Sequence, residues 1–264
     1  MRKWIAGILL LVSVVLLSIS IYFLMGMFLQ EQKDDILQKE LQEIMNTNED
    51  EPGEQSSGNF SAQIDEGILK LHEENPDFIG WLTVEDTRID YAVMYRPADK
   101  NYYLHRDFNG EYSANGSLFV SEDCVPGKSD NLIIYGHHMN SGKMFADLEK
   151  YKEEDFYKEH KEILFNTIWG SETYEVLAAF KTPVYTENDF MYYGFIKAAD
   201  KKEYQEFINA CKDKSFYDTG ITAVYGEKLL TLSTCEYSQS NGRMVVVAKK
   251  ITQNRENGGL QNGK

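Results

Sequence analysis

The chain has 264 residues, of which 42% are hydrophobic, and its formal net charge is -15 at pH 7. Such an acidic chain is not expected to bind nucleic acid or an anionic surface, because both are bound through an excess of Lys and Arg. The three cysteines show no paired spacing, so the sequence gives little sign of a disulfide framework.

The N-terminal segment predicts a membrane anchor. Residues 4–29 contain no charged side chain, and a helix of that length reaches about 39 Å, enough to cross a hydrocarbon core of about 30 Å. Basic residues lie within residues 1–3, and acidic residues follow the apolar run from Glu31. The positive-inside rule therefore predicts that residues 1–3 are cytoplasmic and that the chain after the anchor is extracellular. The alternative is a cleavable signal peptide, whose apolar region would be about 7 to 15 residues long and would end in an Ala-x-Ala site. Since that site is missing, we expect a retained, single-pass anchor in the cell membrane.

The rest of the chain predicts one domain that is mainly β with added helices. Residues 30–60 predict a polar helix and then an acidic, flexible spacer, whereas the polar tail at residues 252–264 is expected to be disordered. Between them, residues 61–251 contain eight short β-prone runs, and eight strands in one domain favour a closed β-barrel. The runs are 81–84, 89–94, 117–120, 132–135, 163–167, 174–180, 229–233 and 244–249, and the predicted helices are 62–74, 153–161 and 200–212.

A candidate nucleophile, Cys235, lies at the end of one of these runs. Residues 228–233 read KLLTLS, and a polar loop separates them from RMVVVAK, which begins at Arg243. Two such runs predict a hairpin in which Cys235 and Arg243 face each other. A nearby cation raises the thiolate population, and only the thiolate attacks a carbonyl carbon. The alternative for Cys235 is a buried small hydrophobe; Cys211 is expected in the core, and Cys124 is expected to be a free loop thiol without chemistry.

A candidate base follows the apolar run at residues 131–135, which breaks at Gly136 and is followed by His137 and His138. Neighbouring residues on an extended chain point to opposite sides, so we expect only one of the two imidazoles to face Cys235. A zinc site is not favoured, because the usual close ligand spacings are missing, and no metal is predicted. The other three histidines, His72, His105 and His160, lie in charged stretches and are expected on the solvated surface.

Several stretches together resemble the class B sortases, which are cysteine transpeptidases of Gram-positive cell surfaces. They are NPDFIGWLTVEDTRIDYAVM, YYLHRDF, GSLFV, IIYGHHM and TLSTC with the downstream Arg243, in that order over roughly residues 65–250. The resemblance implies a β-barrel with helices and assigns His137, directly after Gly136, as the catalytic histidine. It also implies an NPxTN-like sorting motif as substrate and, as acceptor, an amine from a peptidoglycan precursor or a pilin lysine. No cofactor is implied.

Arg243 is expected to act electrostatically. A guanidinium only donates hydrogen bonds and stays protonated, so it cannot accept the imidazole N–H. It can hold a substrate carbonyl or the oxyanion of the tetrahedral intermediate, together with the backbone N–H of Glu236. The resemblance also carries substrate-binding roles to Leu104, Tyr135, Phe190, Ser233, Thr234 and Glu236. The chain departs from the family pattern at Ala92, where proline is usual, and at Phe190, where an aromatic hydroxyl is common.

The sequence therefore predicts a membrane-anchored cysteine transpeptidase that joins secreted proteins to a cell-wall amine through a thioacyl intermediate. Two related alternatives remain open at this stage: a cysteine endopeptidase that releases acid to water, and a sortase that polymerises pilins. A surface module without catalytic activity is disfavoured by the combination of His137, Cys235 and Arg243.

Overall fold

Eight strands close into a barrel in the computed structural model, which describes residues 2–46, 64–183, 190–234 and 242–251. The predicted spacer and tail lie outside the described residues. The helices are α1 (Arg2–Asn46), α2 (Glu66–Glu74), α3 (Glu154–Glu159) and α4 (Lys201–Lys214), with short 3₁₀ helices at Tyr102–His105, Phe145–Lys152 and Tyr192–Gly194. The strands are β1 (Phe78–Thr83), β2 (Asp90–Met94), β3 (Leu118–Val120), β4 (Asn131–Gly136), β5 (Glu162–Thr167), β6 (Gly170–Pro183), β7 (Leu229–Thr234) and β8 (Gly242–Lys250). The predicted mainly-β barrel, preceded by a long apolar helix, is confirmed.

The strand order around the barrel is β1-β2-β3-β4-β7-β8-β6-β5. The pairs β2–β3 and β4–β7 are parallel and the other pairs are antiparallel. A parallel pair needs a long crossover, and the chain between β4 and β7 runs through α3, β5, β6 and α4. The parallel β4–β7 pair is what brings two strand ends to the same edge of the barrel.

Alternation along β7 and β8 divides the core between the barrel interior and a helix-covered outer face. Leu230 and Leu232 pack in the interior cluster, whereas Val245 and Val247 pack in a second cluster under α4. The two strands pair antiparallel, with Ser233 opposite Val245, so the predicted β7–β8 pairing is confirmed. Burial on both faces explains why these strands are apolar along most of their length.

A third cluster joins α1 and α2 to the outer face of β1, β2 and β3. Ile68 and Leu71 of α2 are fully buried there beside Trp81, and Leu41 of α1 joins them. Burying a side chain such as Ile or Leu contributes about 1.5–3 kcal/mol each. The C-terminal part of α1, from Leu37 to Met45, is therefore packed on the barrel.

Cys124 is a loop residue with a free thiol, as predicted. It is also fully buried in the barrel cluster, where its Sγ accepts from the backbone N–H of Ile133 at 3.4 Å. Burial raises its pKa to about 11. The prediction of a solvated surface is corrected for His72 and His160, which are half-buried. Each Nδ1 donates to a backbone carbonyl, that of Phe78 at 2.7 Å and that of Phe156 at 2.8 Å. Cys211 is in the core as predicted.

Candidate active site

The parallel strands β4 and β7 end side by side, and this edge of the barrel is the candidate active site. Gly136 pairs with Thr234, and Tyr135 pairs with Ser233. His137 directly follows the first strand. Cys235 directly follows Thr234 in the sequence, but Cys235 and Glu236 lie outside the described residues. The register thus sets the residues that precede His137 and Cys235 opposite each other.

The imidazole of His137 is held by the loop that precedes β3. Its Nε2 lies 2.7 Å from the backbone carbonyl oxygen of Leu104. Because a carbonyl oxygen only accepts, Nε2 carries the proton of this hydrogen bond, and proton exchange with a reacting group then falls to Nδ1. The ring also stacks on His105, with 5.2 Å between ring centroids. Both contacts fix the orientation of the partly buried ring.

Two glycines allow this arrangement. At Gly136 an added Cβ would lie 2.4 Å from a methyl carbon of Leu118 and 2.8 Å from the ring of Phe145. Gly116 has φ +59, and a Cβ there would lie 2.3 Å from the Leu104 oxygen that accepts from His137. A side chain at either position would therefore displace the strand end or the acceptor, and glycine meets the positive φ at no steric cost.

Arg243 is a buried cation at the start of β8. Only 6% of its surface is exposed, and its Nη1 donates to the backbone carbonyl of Thr234 at 2.8 Å. The hydroxyl of Thr234 in turn accepts from the backbone N–H of Met244 at 3.1 Å. A guanidinium keeps its charge when buried, so a permanent positive charge lies next to the residue that precedes Cys235.

His138 faces a different part of the molecule from His137. Its Nδ1 is 4.0 Å from a carboxylate oxygen of Glu149, and its backbone forms a bridge with Met144. Among the residues described, no three His, Cys, Asp or Glu side chains lie close enough to hold a metal ion.

The residues expected to bind substrate do not all lie at the same place in the structure. Leu104 contributes its carbonyl to His137, and Tyr135 packs its ring 5.7 Å from that of Phe119. Ser233 is fully buried, with its hydroxyl 2.7 Å from the hydroxyl of Tyr192. Leu104, Tyr135, Ser233 and Thr234 thus gather with His137 and Arg243 at one barrel edge.

Phe190 lies in a different environment. Its ring packs 5.8 Å from Phe180 on β6 and 5.8 Å from Phe207 on α4, in the cluster on the outer face of the barrel. The structure therefore gives Phe190 packing partners on α4, and no described contact joins it to His137.

Two side chains at this edge have no role in the sequence prediction. His105 is exposed, as predicted, but its ring stacks on His137. Its position directly after Leu104 in the YYLHRDF stretch was the available signal. The hydroxyl of Tyr192 forms a hydrogen bond with the Ser233 hydroxyl. Because the two residues are 41 positions apart, no local sequence pattern indicates this contact.

The sortase domain family matches residues 82–251 of the chain. The chain is 32% identical to sortase B of Listeria monocytogenes over 197 residues, which cover 74% of this chain and 78% of the relative. It is 33% identical to sortase B of Staphylococcus aureus over 184 residues, covering 69% of this chain and 73% of the relative. The solved structure of a S. aureus sortase B–substrate complex superimposes with a TM-score of 0.70 at 29% identity, covering 85% of this chain and 97% of that one. Sortase B of Clostridium perfringens superimposes with a TM-score of 0.64 at 32% identity, covering 70% and 99%.

Proposed function

Because the chain belongs to the class B sortases, a family of transpeptidases, we propose that it joins sorting-motif proteins to a cell-wall amine through Cys235. The observation that carries this proposal is the register of β4 and β7, in which Gly136 before His137 pairs with Thr234 before Cys235. Buried Arg243, bonded to the Thr234 carbonyl, adds the positive charge that this chemistry needs. The catalytic domain is proposed to span residues 61–251.

In the first half of the reaction, the Cys235 thiolate attacks the backbone carbonyl carbon of the sorting motif. The C–N bond breaks, the departing amine takes a proton from the imidazolium of His137, and a thioester joins the acyl part of the substrate to sulfur. Since Nε2 is committed to the Leu104 carbonyl, Nδ1 is the atom that gives this proton. The contact with Leu104 keeps the imidazole in place while its charge changes.

In the second half, an amine attacks the thioester carbonyl carbon, and His137 removes a proton from the attacking amine. A new amide bond forms, the C–S bond breaks, and the thiolate is regenerated. Water would give the free acid instead, so the same residues would serve a hydrolase. Transpeptidation therefore depends on an amine reaching the thioester before water does.

Arg243 and the backbone N–H of Glu236 are proposed to stabilise the oxyanion in both halves. A preorganised donor at a developing oxyanion is worth about 10² to 10³ in rate. The guanidinium of Arg243 is preorganised for this role, because it is already desolvated and is oriented by its hydrogen bond to the Thr234 carbonyl.

The substrate is proposed to be an NPxTN-like motif of a secreted protein, and the acceptor an amine of a peptidoglycan precursor. Substrate contacts are proposed for Leu104, Tyr135, Phe190, Ser233, Thr234 and Glu236. A pilin lysine as acceptor would make the enzyme a pilus polymerase. A mass-spectrometric screen of sorting-motif peptides, each with and without glycine-type amines and lysine peptides, identifies both substrates at once. If the peptides are cleaved but no added amine yields an amide product, the result would favour the endopeptidase.

The enzyme is proposed to be anchored in the cell membrane by residues 4–29, with the catalytic domain outside the cell. One helix of the described chain is long and apolar enough to cross a membrane. Every residue from Trp4 to Leu29 is exposed in the structure, including Leu16 and Phe23. A contiguous apolar surface of this kind calls for a lipid environment.

We expect the full-length chain to stay in the membrane fraction through high-salt and alkaline washes and to be released by detergent. Protease added to intact, wall-stripped cells should digest the catalytic domain, while a cytoplasmic marker enzyme survives. Recovery from the medium of a chain whose N-terminus begins after residue 29 would instead show that the apolar segment is a cleaved signal peptide.

Replacing Arg243 separates its charge from its geometry. Lysine keeps the charge but lacks the rigid fork of donors, so Arg243→Lys should lose most of the activity that Arg243→Ala loses, about 10² to 10³ in kcat/KM. Alkylation of Cys235 by iodoacetamide, followed by peptide mapping, should continue in both variants. Full turnover in the lysine variant would show that charge alone suffices, and loss of alkylation would move the role of Arg243 to thiol activation.

A further inference from the structure

The anchor helix contacts the catalytic domain from the first residue beyond its apolar run. Residues from Trp4 to Leu29 are all exposed, and Gln30 is the first partly buried residue of α1. Its Nε2 donates to the backbone carbonyl of Tyr112 at 2.9 Å. Since α1 is one continuous helix to Asn46, the domain is docked on the helix and does not hang from a flexible tether at residue 30.

The first turns of α1 beyond the apolar run contact two loops, one that stacks on His105 and one that follows His137 in the chain. One is the Tyr112 loop, residues 106–117, where Asp34 accepts from Ser113 Oγ at 2.7 Å and from Asn115 Nδ2 at 2.9 Å. Lys33 also pairs with Glu111. These contacts start within one helical turn of the end of the apolar run, which is about 5 Å of helix.

The second loop follows His137 and carries Lys143. Lys143 pairs with Glu31 at 3.0 Å and with Asp35 at 2.6 Å. Residues 30–35 of α1 thus contact both loops, over a helix rise of about 8 Å. Further along α1, Gln38 and Gln42 donate to Asp90 at 2.7 Å each, which continues the docking away from the apolar run.

A line of rings connects the exposed side of the Tyr112 loop to the candidate catalytic base. The Tyr112 side chain is 66% exposed, and its ring stacks on His105 at 6.5 Å, which stacks on His137 at 5.2 Å. Tyrosine is one of the two residue types enriched at the membrane–water interface. An exposed tyrosine beside the end of the apolar run therefore lies two ring contacts from His137.

We propose that the Tyr112 loop is seated in the headgroup region of the outer leaflet, so that the active-site edge opens at the membrane surface. The partner is a lipid surface, and the proposal rests on the proposed membrane anchor. It implies that both the sorting-motif protein and the amine are taken while they are still held at the membrane. Their reach from the bilayer, and not only their sequence, then decides whether they react.

The charges on this face indicate how the seating is held. The acidic side chains Glu31, Asp35 and Glu111 form ion pairs with Lys143 and Lys33. Lys33 and Lys143 are used in these pairs, and the exposed Arg106 donates to the backbone carbonyl of Gly110 at 2.8 Å. The seating is therefore proposed to depend on the docked helix and on Tyr112, and not on anionic lipid. Exposed ion pairs contribute only about 0–1 kcal/mol each, so removing a single pair would not undock the helix. A test must change the height of the domain instead.

The height is changed by inserting seven helix-forming polar residues between Leu29 and Gln30. Seven residues add about 10 Å and nearly two complete turns, so the domain keeps its contacts with residues 30–46 and nearly the same rotation about the helix axis relative to the apolar run. The matched control places the same seven residues in the spacer at residues 47–60, where the docked helix keeps the domain at its height. The substrate is an NPxTN-type peptide, either free in solution or joined by a short linker to a transmembrane helix in the same vesicles.

We expect both insertions to cleave the free peptide at the normal rate. Cleavage of the membrane-held peptide should fall by roughly tenfold or more in the helix insertion alone, because a linker that cannot span the gap gives almost no effective concentration. A longer substrate linker should restore it. Equal rates for the two insertions on the membrane-held peptide would overturn the proposal. Failure to cleave even the free peptide by the parent enzyme would instead overturn the proposed function.

A second measurement locates the Tyr112 loop directly. An environment-sensitive fluorophore is attached at Tyr112→Cys, and for comparison at Tyr225→Cys, in a Cys235→Ala background; Cys124 and Cys211 are fully buried. Tyr225 is an exposed tyrosine that precedes the start of β7, at the barrel end opposite Thr234. Lipids with a headgroup nitroxide should quench the label at 112 and not at 225, equally in zwitterionic and in anionic vesicles.

Equal and weak quenching at both positions, in protein that floats with the vesicles, would overturn the seating. Quenching at 112 only in anionic vesicles would overturn the stated basis of the seating, since it would make headgroup charge its cause. Protein that does not float with the vesicles would overturn the membrane anchor and the seating together.

Discussion

Cys235→Ala should abolish cleavage of a sorting-motif peptide, because alanine offers no nucleophile and no thioester can form. Cleavage is measured by mass spectrometry of the products after prolonged incubation. The expected result is background cleavage only, with an unchanged circular dichroism spectrum. Substantial turnover by this variant would end the assignment of Cys235.

The matched controls are the other two cysteines, Cys124 and Cys211. Both are fully buried, and burial raises the pKa of each thiol, so neither is a thiolate near neutral pH. Cys124→Ala and Cys211→Ala should therefore keep normal turnover. Each should lower the free energy of unfolding by about 1 kcal/mol, as a substitution in the core typically does. Loss of turnover in a folded control variant would show that the chemistry involves a second thiol.

His137→Ala should lose several orders of magnitude in kcat/KM. Proton transfer to the leaving amine alone is worth about 10² to 10⁴, and the imidazole is also needed to accept the proton of the attacking amine. The measurement is single-turnover cleavage, which separates the chemical step from product release. His137→Ala should remain folded, since its ring is only partly buried.

His138→Ala is the matched control beside it. The ring of His138 faces Glu149, and that carboxylate also pairs with Lys181 at 2.8 Å. Removing the imidazole therefore leaves Glu149 paired, and turnover should change by far less than in His137→Ala. Equal losses of turnover in the two variants would leave the assignment of His137, and not His138, as the catalytic base without support.

The barrel could be predicted from the sequence because its strands carry a strong local signal. Runs such as the one ending at Ser233 combine β-prone residues with polar breaks, and every predicted run corresponds to a strand. Strand ends were less clear, as in β6, which extends to Pro183 beyond the predicted end at residue 180. The pairing with β8 continues to that end, so a tertiary contact and not local propensity sets it.

The burial of Cys124 could not be predicted, because its neighbours in the sequence are polar. A thiol in the stretch of residues 121–130 is typical of a loop, and the loop was predicted. Burial of its side chain depends on β4, whose Ile133 donates to the sulfur. Such a contact between a loop and a strand leaves no periodic pattern in the sequence.

The docking of α1 on the domain could not be predicted from the sequence either. Residues 30–45 read as a polar helix, and a polar helix is equally typical of a solvated connector. The structure packs Leu41 against the barrel and places Asp34 against Ser113 and Asn115. These partners are about 80 residues away in the chain, so only the folded structure brings them together.

The most direct test of the transpeptidase assignment is the intact mass of the enzyme during turnover. Full-length protein in detergent is mixed with a cleavable sorting-motif peptide, quenched in acid and analysed with and without an added amine. We predict an added mass equal to the acyl part of the peptide, mapped to Cys235 and removed by hydroxylamine as a thioester should be. With the amine present, the adduct should decline and the peptide–amine product should replace the free acid. Cleavage that proceeds without any adduct on Cys235, or that yields only free acid at every amine concentration, would contradict the assignment.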